Sequence, residues 1–204
     1  MQTIDADGHV IEPADLWERE LPPSMRERGF RIRWNPDILQ EEVHVEGKLL
    51  LPAGIVGVGL AGRPFEDIGK GVRYGELRAG GFDPRQRLAD LDHERIDVAV
   101  LYPSIGLFLE AIEDPAVAEA CCRVYNDWLA DYCRADPKRL IGVAGIPMQD
   151  RDAAIREARR AVSELGMRGV FLRQNPCNGR PAAAQPLLRA VMVGGRGAGC
   201  AGGA

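Results

Sequence analysis

The fold is decided by residues 83–103, which read DPRQRLADLDHERIDVAVLYP. Aspartate followed by proline is typical of a helix start, because the aspartate caps the first turn and proline has no N–H that would be left unpaired. Leu88, Leu91 and Ile96 then fall on one helical face at roughly regular spacing. The short apolar run at residues 97–103 is typical of a strand buried on both faces of a parallel sheet. This stretch predicts a helix that leads directly into a buried strand.

The same alternation of helix and strand continues on both sides of this stretch. Helices are predicted from Asp114-Pro115 to about Arg134 and from Asp152 to Leu165. Short strands are predicted at residues 3–6, 140–147 and 169–173. Strands that alternate with helices predict a parallel α/β sheet with right-handed crossovers. A small open sheet and an incomplete (β/α)₈ barrel both fit, since the predicted units are about half of what a barrel of roughly 250 residues needs.

A long, irregular insertion from about residue 12 to 81 follows the first strand, and prolines and glycines punctuate it. A hairpin is predicted within residues 42–50, where alternating hydrophobicity coincides with a turn at Gly47. The insertion has few large apolar residues, so we expect it to belong to the main domain, which would cover residues 1–180.

The segment 181–204 differs from the rest of the chain, because it consists mainly of alanine and glycine and has no acidic or aromatic residue. Such a glycine-rich string cannot form the helix and strand that should come next. It is either a disordered tail or the product of a lost reading frame. The second interpretation is favoured, because a GC-rich gene read out of frame yields Ala, Gly, Arg and Pro.

The composition is that of an ordinary globular protein, with 204 residues, 46% hydrophobic and 27% charged. The net charge of −4 offers no basic surface for nucleic acid or anionic lipid, so a small-molecule substrate is the expected partner. The five cysteines are odd in number and form no C-x-x-C motif, which predicts reduced thiols and a cytoplasmic location. We expect no membrane span, because no apolar run is long enough to cross a bilayer.

Asp5, Asp7 and His9 alternate at the end of the first predicted strand. In an extended chain residues i and i+2 point to the same side, so Asp7 and His9 project together. A carboxylate and an imidazole placed in this way can chelate a divalent ion such as zinc. A solvated turn at Asp7-Gly8 is the alternative, and the spacing alone does not decide between the two.

The surrounding sequence favours the metal site. Residues 4–13, IDADGHVIEP, and 15–17, DLW, resemble the start of the amidohydrolase-related (amidohydrolase 2) family, which includes aminocarboxymuconate-semialdehyde decarboxylase and related decarboxylases and hydratases. Further matching segments are Gly81-Phe82-Asp83-Pro84, Ile96 to Ser104, Tyr125 to Leu129, Arg139 to Val143 and Gly169 to Arg173. The resemblance covers residues 3 to about 180.

This resemblance implies the N-terminal half of a metal-dependent hydrolase-type (β/α)₈ TIM barrel with one catalytic divalent ion, usually zinc. Asp7 and His9 match the metal pair of the first strand, although the first position is more often histidine. The remaining ligands, later histidines and an aspartate, are expected beyond residue 180. The chain has only His44 and His93 besides His9, and neither follows a predicted strand. A catalytic zinc needs about three protein ligands, so we expect weak or absent metal binding by this chain.

Four side chains at predicted strand ends are weaker candidates for substrate contacts: Tyr102, Ser104, Arg173 and Asn175. Arg173 could bind a substrate carboxylate through both of its terminal nitrogens, or instead cap a helix or pair with Asp150. Glu12 is a candidate hydrogen-bonding partner that orients His9, with a helix-entry or surface role as the alternative.

Three functions fit the sequence. The first is a metal-dependent hydrolase or non-oxidative decarboxylase of a small, carboxylated compound, present as a truncated copy. The second is an inactive remnant or an interaction partner, which would associate with itself through unpaired sheet edges. The third is a small open α/β protein that binds an anionic ligand, which ranks lowest because no glycine-rich phosphate loop follows the first strand.

Overall fold

The structure, a computed structural model, describes residues 2–52, 64 and 73–171. A sheet of four parallel strands forms its centre. These strands are β1 (Ile4–His9), β5 (Val98–Tyr102), β6 (Leu140–Gly145) and β7 (Gly169–Phe171). The strands predicted from the apolar runs are therefore present.

The strand order distinguishes between the two architectures that the sequence leaves open. The order is β1-β5-β6-β7, so each new strand is added on the same side of the previous one. In an open doubly wound sheet the direction of addition reverses at a switch point. A sheet that always grows in one direction is the winding of a (β/α)₈ barrel. The described strands therefore correspond to successive strands of a barrel.

Helices connect these strands: α2 (Pro84–Glu94), α3 (Pro115–Cys133) and α4 (Arg151–Ser163). Each begins after an aspartate whose side chain accepts a hydrogen bond from a backbone N–H of the first turn, namely Asp83, Asp114 and Asp150. The predicted Asp-Pro helix starts are thus confirmed, and their physical reason is side-chain capping of otherwise unpaired N–H groups.

The insertion contains a short helix, α1 (Leu16–Glu20), and an antiparallel sheet of β2 (Arg31–Asn35), β3 (Gln40–Val45) and β4 (Lys48–Leu51). The predicted hairpin joins β3 to β4. Its two turn residues, Glu46 and Gly47, have φ values of 49° and 73°. Positive φ at both central positions matches the right-handed twist of the strands, and glycine adopts it without strain.

The insertion shares the hydrophobic core of the main sheet. Phe30 and Val43 are buried in the same cluster as Leu129 of α3. The Trp17 ring lies 4.8 Å from the Phe30 ring, and its indole nitrogen donates to the carbonyl oxygen of Cys121 at 3.2 Å. The insertion therefore packs on α3 and is not built around a core of its own.

Cys121, Cys122 and Cys133 are free thiols, as the cysteine pattern predicts. Burial raises the pKa of Cys121 and of Cys133 to about 12, so both remain protonated and unreactive near neutral pH. Among the described helices, none is both long enough and apolar enough to cross a bilayer.

Candidate metal site at the carboxyl end of the first strand

A bulge shapes the end of β1. Asp5 pairs with Ala99 and Gly8 pairs with Leu101, so β1 has one residue more than β5 between these two pairs. The Asp5 carboxylate accepts the Asp7 N–H at 3.1 Å, which stabilises the bulged backbone. Gly8 lies so close to β5 that a Cβ there would be 3.1 Å from the carbonyl oxygen of Val100. The Asp-x-Asp-Gly-His sequence therefore fits this bulge.

The His9 ring is held by a backbone carbonyl. Its Nδ1 lies 2.6 Å from the carbonyl oxygen of Pro103, and a carbonyl can only accept, so Nδ1 carries the proton in the neutral ring. The other nitrogen, Nε2, is then an acceptor and can bind a metal ion. It lies 3.9 Å from Oδ1 of Asp7, whose side chain is 92% exposed. One carboxylate oxygen and one imidazole nitrogen thus face each other at the strand end.

The donor pair fits a divalent ion. Zinc binds carboxylate oxygen and imidazole nitrogen at about 2.1 Å, so two donors can share an ion when they are no more than about 4.2 Å apart. The Asp7–His9 separation of 3.9 Å satisfies this limit. In residues 2–52, 64 and 73–171, no group of three or more His, Cys, Asp or Glu side chains could hold a metal. This part of the chain therefore offers two candidate donors, Asp7 and His9.

Open space adjoins the pair. A cavity of about 400 Å³ lies between β1 and α2, and its lining includes Asp7, His9, Arg87 and Glu94. The Arg87 guanidinium donates to the carbonyl oxygen of His9, which fixes the backbone at the strand end. Further ligands or a substrate can therefore approach the Asp7–His9 pair without displacing core residues.

Aromatic rings extend from His9 across the sheet. The Tyr102 ring at the end of β5 lies 6.0 Å from the His9 ring, and the Phe171 ring lies 6.5 Å from Tyr102 in an edge-on arrangement. Tyr102 was a predicted substrate contact, and the structure brings it beside the metal pair. Sequence reasoning missed Phe171. Phe171 ends β7, and β6 lies between β7 and β5. Alternate strands of a barrel contribute side chains to the same layer, so this position indicates that Phe171 lies near Tyr102.

Two other predicted site residues have different surroundings from those expected. Ser104 is 3% exposed and donates its hydroxyl to the carbonyl oxygen of Val10 at 2.6 Å, so it joins two backbone segments and does not face the cavity.

Glu12 is completely buried, and its carboxylate accepts backbone N–H groups of residues 104–106. The partner of the His9 ring is the Pro103 carbonyl, which corrects the expected contact with Glu12. Burial raises the pKa of Glu12, and the backbone N–H groups oppose this shift.

Other candidates lie away from the site. Arg173 and Asn175 are outside the described residues. His44 lies in the insertion with its Nε2 2.9 Å from a carboxylate oxygen of Glu42, and His93 is exposed near the end of α2. Neither histidine directly follows a strand of the parallel sheet, as the sequence predicts.

Comparison with known proteins gives the relationship of the chain. The family model described as amidohydrolase (Amidohydro_2) matches residues 4–193, so the match extends beyond residue 180. The 2-amino-3-carboxymuconate-6-semialdehyde decarboxylase of Dictyostelium discoideum is 30% identical over 105 residues, which are 52% of this chain and 29% of that protein. The gamma-resorcylate decarboxylase of a Polaromonas species is 33% identical over 135 residues, which are 66% of this chain and 37% of that protein. The chain thus spans well under half the length of these curated relatives.

Solved structures share the fold. A crystal structure of an amidohydrolase from Mycobacterium avium subsp. paratuberculosis superposes with a TM-score of 0.65 at 20% identity, and covers 83% of this chain and 48% of that one. A dihydroxybenzoic acid decarboxylase from Polaromonas with bound manganese has a TM-score of 0.58 at 23% identity, and covers 95% of this chain and 47% of that one. The described strands thus correspond to about half of such a barrel. The chain belongs to the amidohydrolase family.

Proposed function

We propose that the chain carries the first metal ligands of a decarboxylase or hydrolase that acts on a small carboxylated, most often aromatic, compound. Asp7 and His9 are the proposed ligands. The observation that carries the proposal is the His9 ring, whose Nδ1–H is committed to Pro103 while Nε2 faces Asp7 at 3.9 Å. The relatives named as decarboxylases of 2-amino-3-carboxymuconate-6-semialdehyde and gamma-resorcylate support the substrate class.

The metal is proposed to be a divalent ion. Zinc is the ion that the family resemblance implies, whereas decarboxylases from Polaromonas and Novosphingobium aromaticivorans hold manganese in their crystal structures. A carboxylate and an imidazole suit both ions. When bound, the ion would polarise a substrate carboxylate or activate water.

The side chains near the pair suit an aromatic substrate. Tyr102 and Phe171 present rings at the ends of β5 and β7, within 6.5 Å of one another. Ring pairs at such distances favour edge-on and offset arrangements, so a flat aromatic acid could pack beside Tyr102 while its carboxylate points to the metal. We infer that this aromatic wall orients the substrate ring and that Asp7 and His9 hold the ion.

The alternative is a chain without catalytic activity, which binds other copies or a partner. This alternative rests on the described residues, which bring together two metal donors and no third one. The third possibility, an open α/β ligand-binding protein, lacks support, because the strands are added in one direction only.

Metal binding by the full chain tests the proposal. Electron paramagnetic resonance of Mn²⁺ is suitable, because the signal of the free hydrated ion weakens when the ion binds. We expect weak binding by the wild-type chain and its loss in the Asp7→Asn and His9→Ala variants. His93→Ala is the matched control, since it removes an exposed histidine that does not line the cavity beside Asp7 and His9, and this variant should bind Mn²⁺ like the wild type.

Two outcomes would contradict the proposal: binding that survives both substitutions, or binding that His93→Ala abolishes. An assay of carbon dioxide release from 2,6-dihydroxybenzoate with added Mn²⁺ then separates the two leading functions. Turnover that disappears in His9→Ala supports the enzyme. Metal binding without turnover supports the chain that lacks catalytic activity.

A further inference from the structure

Glu12 is a completely buried carboxylate whose partners are consecutive backbone N–H groups. The N–H groups of Ile105 and Gly106 each donate to it at 2.9 Å, to different oxygens. The Ser104 N–H lies between both oxygens, at 3.1 and 3.3 Å. Both carboxylate oxygens therefore act as acceptors. The three consecutive N–H groups after β5 all point to the side chain of Glu12, which lies in the segment after β1.

Other hydrogen bonds hold the segment that carries Glu12. The Ser104 hydroxyl donates to the carbonyl oxygen of Val10 at 2.6 Å. The Tyr74 hydroxyl donates to the carbonyl oxygens of Ile11, at 2.8 Å, and of Glu12. Gly106 permits the close approach, since a Cβ there would lie 3.1 Å from Oε1 of Glu12. The position of Glu12 is therefore determined from several sides.

The peptide group between Pro103 and Ser104 links Glu12 to His9. Its N–H belongs to Ser104 and points to the Glu12 carboxylate. Its carbonyl belongs to Pro103 and accepts the His9 Nδ1–H at 2.6 Å. A trans peptide group is planar, with its N–H and C=O pointing in opposite directions, and the described chain has no cis peptide bond. An acceptor for the Ser104 N–H on one side therefore aims the Pro103 carbonyl at His9 on the other.

We propose that Glu12 is a positioning residue, which sets the orientation and the tautomer of the His9 ring through the Pro103–Ser104 peptide group. The carboxylate never touches the ring. It keeps the peptide plane oriented so that Nδ1 is protonated and Nε2 is free. The inference rests on the proposed function only for the reason why the tautomer matters. The tautomer of the His9 ring itself can be measured in the metal-free chain.

Long-range ¹H–¹⁵N NMR of the histidine rings tests the proposal. The chain has three histidines, His9, His44 and His93, and the His9 signals are assigned by their loss in His9→Ala. At a pH where the ring is neutral, we expect a single tautomer with the proton on Nδ1 in the wild type. In Glu12→Gln we expect a mixture of tautomers, because the amide nitrogen of glutamine cannot accept a backbone N–H.

Glu157→Gln is the matched control. Glu157 is also a buried carboxylate, 1% exposed, and it accepts from Asn126 and Arg160 at 2.7 Å. Its replacement should destabilise the fold comparably while leaving the His9 tautomer unchanged. A change of the His9 tautomer in both variants would mean that lower stability, and not loss of the Glu12 contact, alters the ring. That result would overturn the proposal.

Two further results would also overturn it: a wild-type ring protonated on Nε2, or a His9 tautomer that is the same in Glu12→Gln and the wild type. If Glu12→Gln does not fold, Gly106→Ala serves as the second variant, since its Cβ would lie 2.8 Å from the Pro103 Cβ and displace the same peptide. We expect a mixture of His9 tautomers in this variant as well, and the wild-type tautomer alone would contradict the proposal. None of these results depends on metal or turnover, so failure of the proposed enzyme function is distinguishable from failure of this inference.

Discussion

Gly8, between the two proposed metal ligands, shows how one residue is determined by backbone packing. It lies in the bulge of β1, where a Cβ would be 2.8 Å from Oδ2 of Asp5 and 3.1 Å from the carbonyl oxygen of Val100. The carbonyl belongs to a neighbouring strand and cannot move without disturbing the ladder. Gly8 is therefore needed for the close approach of β1 and β5, directly between Asp7 in the bulge and His9 at the strand end.

We expect Gly8→Ala to destabilise the chain by about 1–3 kcal/mol, because the added methyl group would lie too close to the carbonyl oxygen of Val100. Gly75→Ala is the control, as a Cβ there meets nothing within 4 Å. Thermal unfolding followed by circular dichroism gives the comparison. Equal melting temperatures of the two variants would contradict the tight approach of β1 to β5. Weaker Mn²⁺ binding by Gly8→Ala is the accompanying expectation.

At the scale of elements, Asn126 connects α3 to the end of β6. Its side chain accepts the Gly145 N–H at 2.9 Å and donates to the Gly145 carbonyl oxygen at 2.8 Å. The same amide donates to Glu157 of α4 at 2.7 Å, and both side chains are buried. One amide therefore pairs with the backbone at the end of β6 and with a buried carboxylate. It ties α3 and α4 to the carboxyl end of the sheet, where the proposed metal ligands also lie.

We expect Asn126→Ala to lower the free energy of unfolding by about 2–4 kcal/mol, since it leaves buried N–H and C=O groups without partners. Asp127→Ala is the control: this neighbouring carboxylate is 55% exposed and pairs with Arg160. Its loss should change the free energy by less than about 1 kcal/mol. Urea denaturation measures both variants. A larger effect for Asp127→Ala would show that the surface pair, and not the buried amide, holds α4 in place.

The four described parallel strands form part of a barrel winding. Within the part of the chain that the structure describes, β1 pairs with β5 alone and β7 pairs with β6 alone. Each of these two strands thus has one edge whose N–H and C=O groups face no described strand. Ile4 on β1 is 55% exposed, and an apolar edge strand is a site for pairing with another chain.

We therefore expect the wild-type chain to self-associate. Ile4→Lys should reduce association, because a charge on an edge strand opposes further pairing. Leu39→Lys is the control, as Leu39 is equally apolar and 60% exposed but lies in the insertion, between β2 and β3. Size-exclusion chromatography with light scattering gives the mass at several concentrations. A wild-type monomer at all concentrations, or equal effects of the two lysine substitutions, would contradict association through β1.

The sequence by itself determined the features that depend on neighbouring residues. The Asp83-Pro84 and Asp114-Pro115 pairs predict helix starts because the capping contact spans two or three residues. The turn at Gly47 and the common direction of Asp7 and His9 depend likewise on local backbone geometry. The family resemblance extended this local information to the barrel and its metal.

Tertiary structure alone decided the features that depend on distant contacts. The direction in which strands are added is set by how each helix packs back on the sheet, so the local pattern fits both an open sheet and a barrel. Glu12 and Ser104 are 92 residues apart in the chain, and their hydrogen bond exists only after β1 and β5 have paired. Ser104 is buried for the same reason. Packing between remote segments, which no short stretch of sequence encodes, thus placed Glu12 behind the peptide that orients His9.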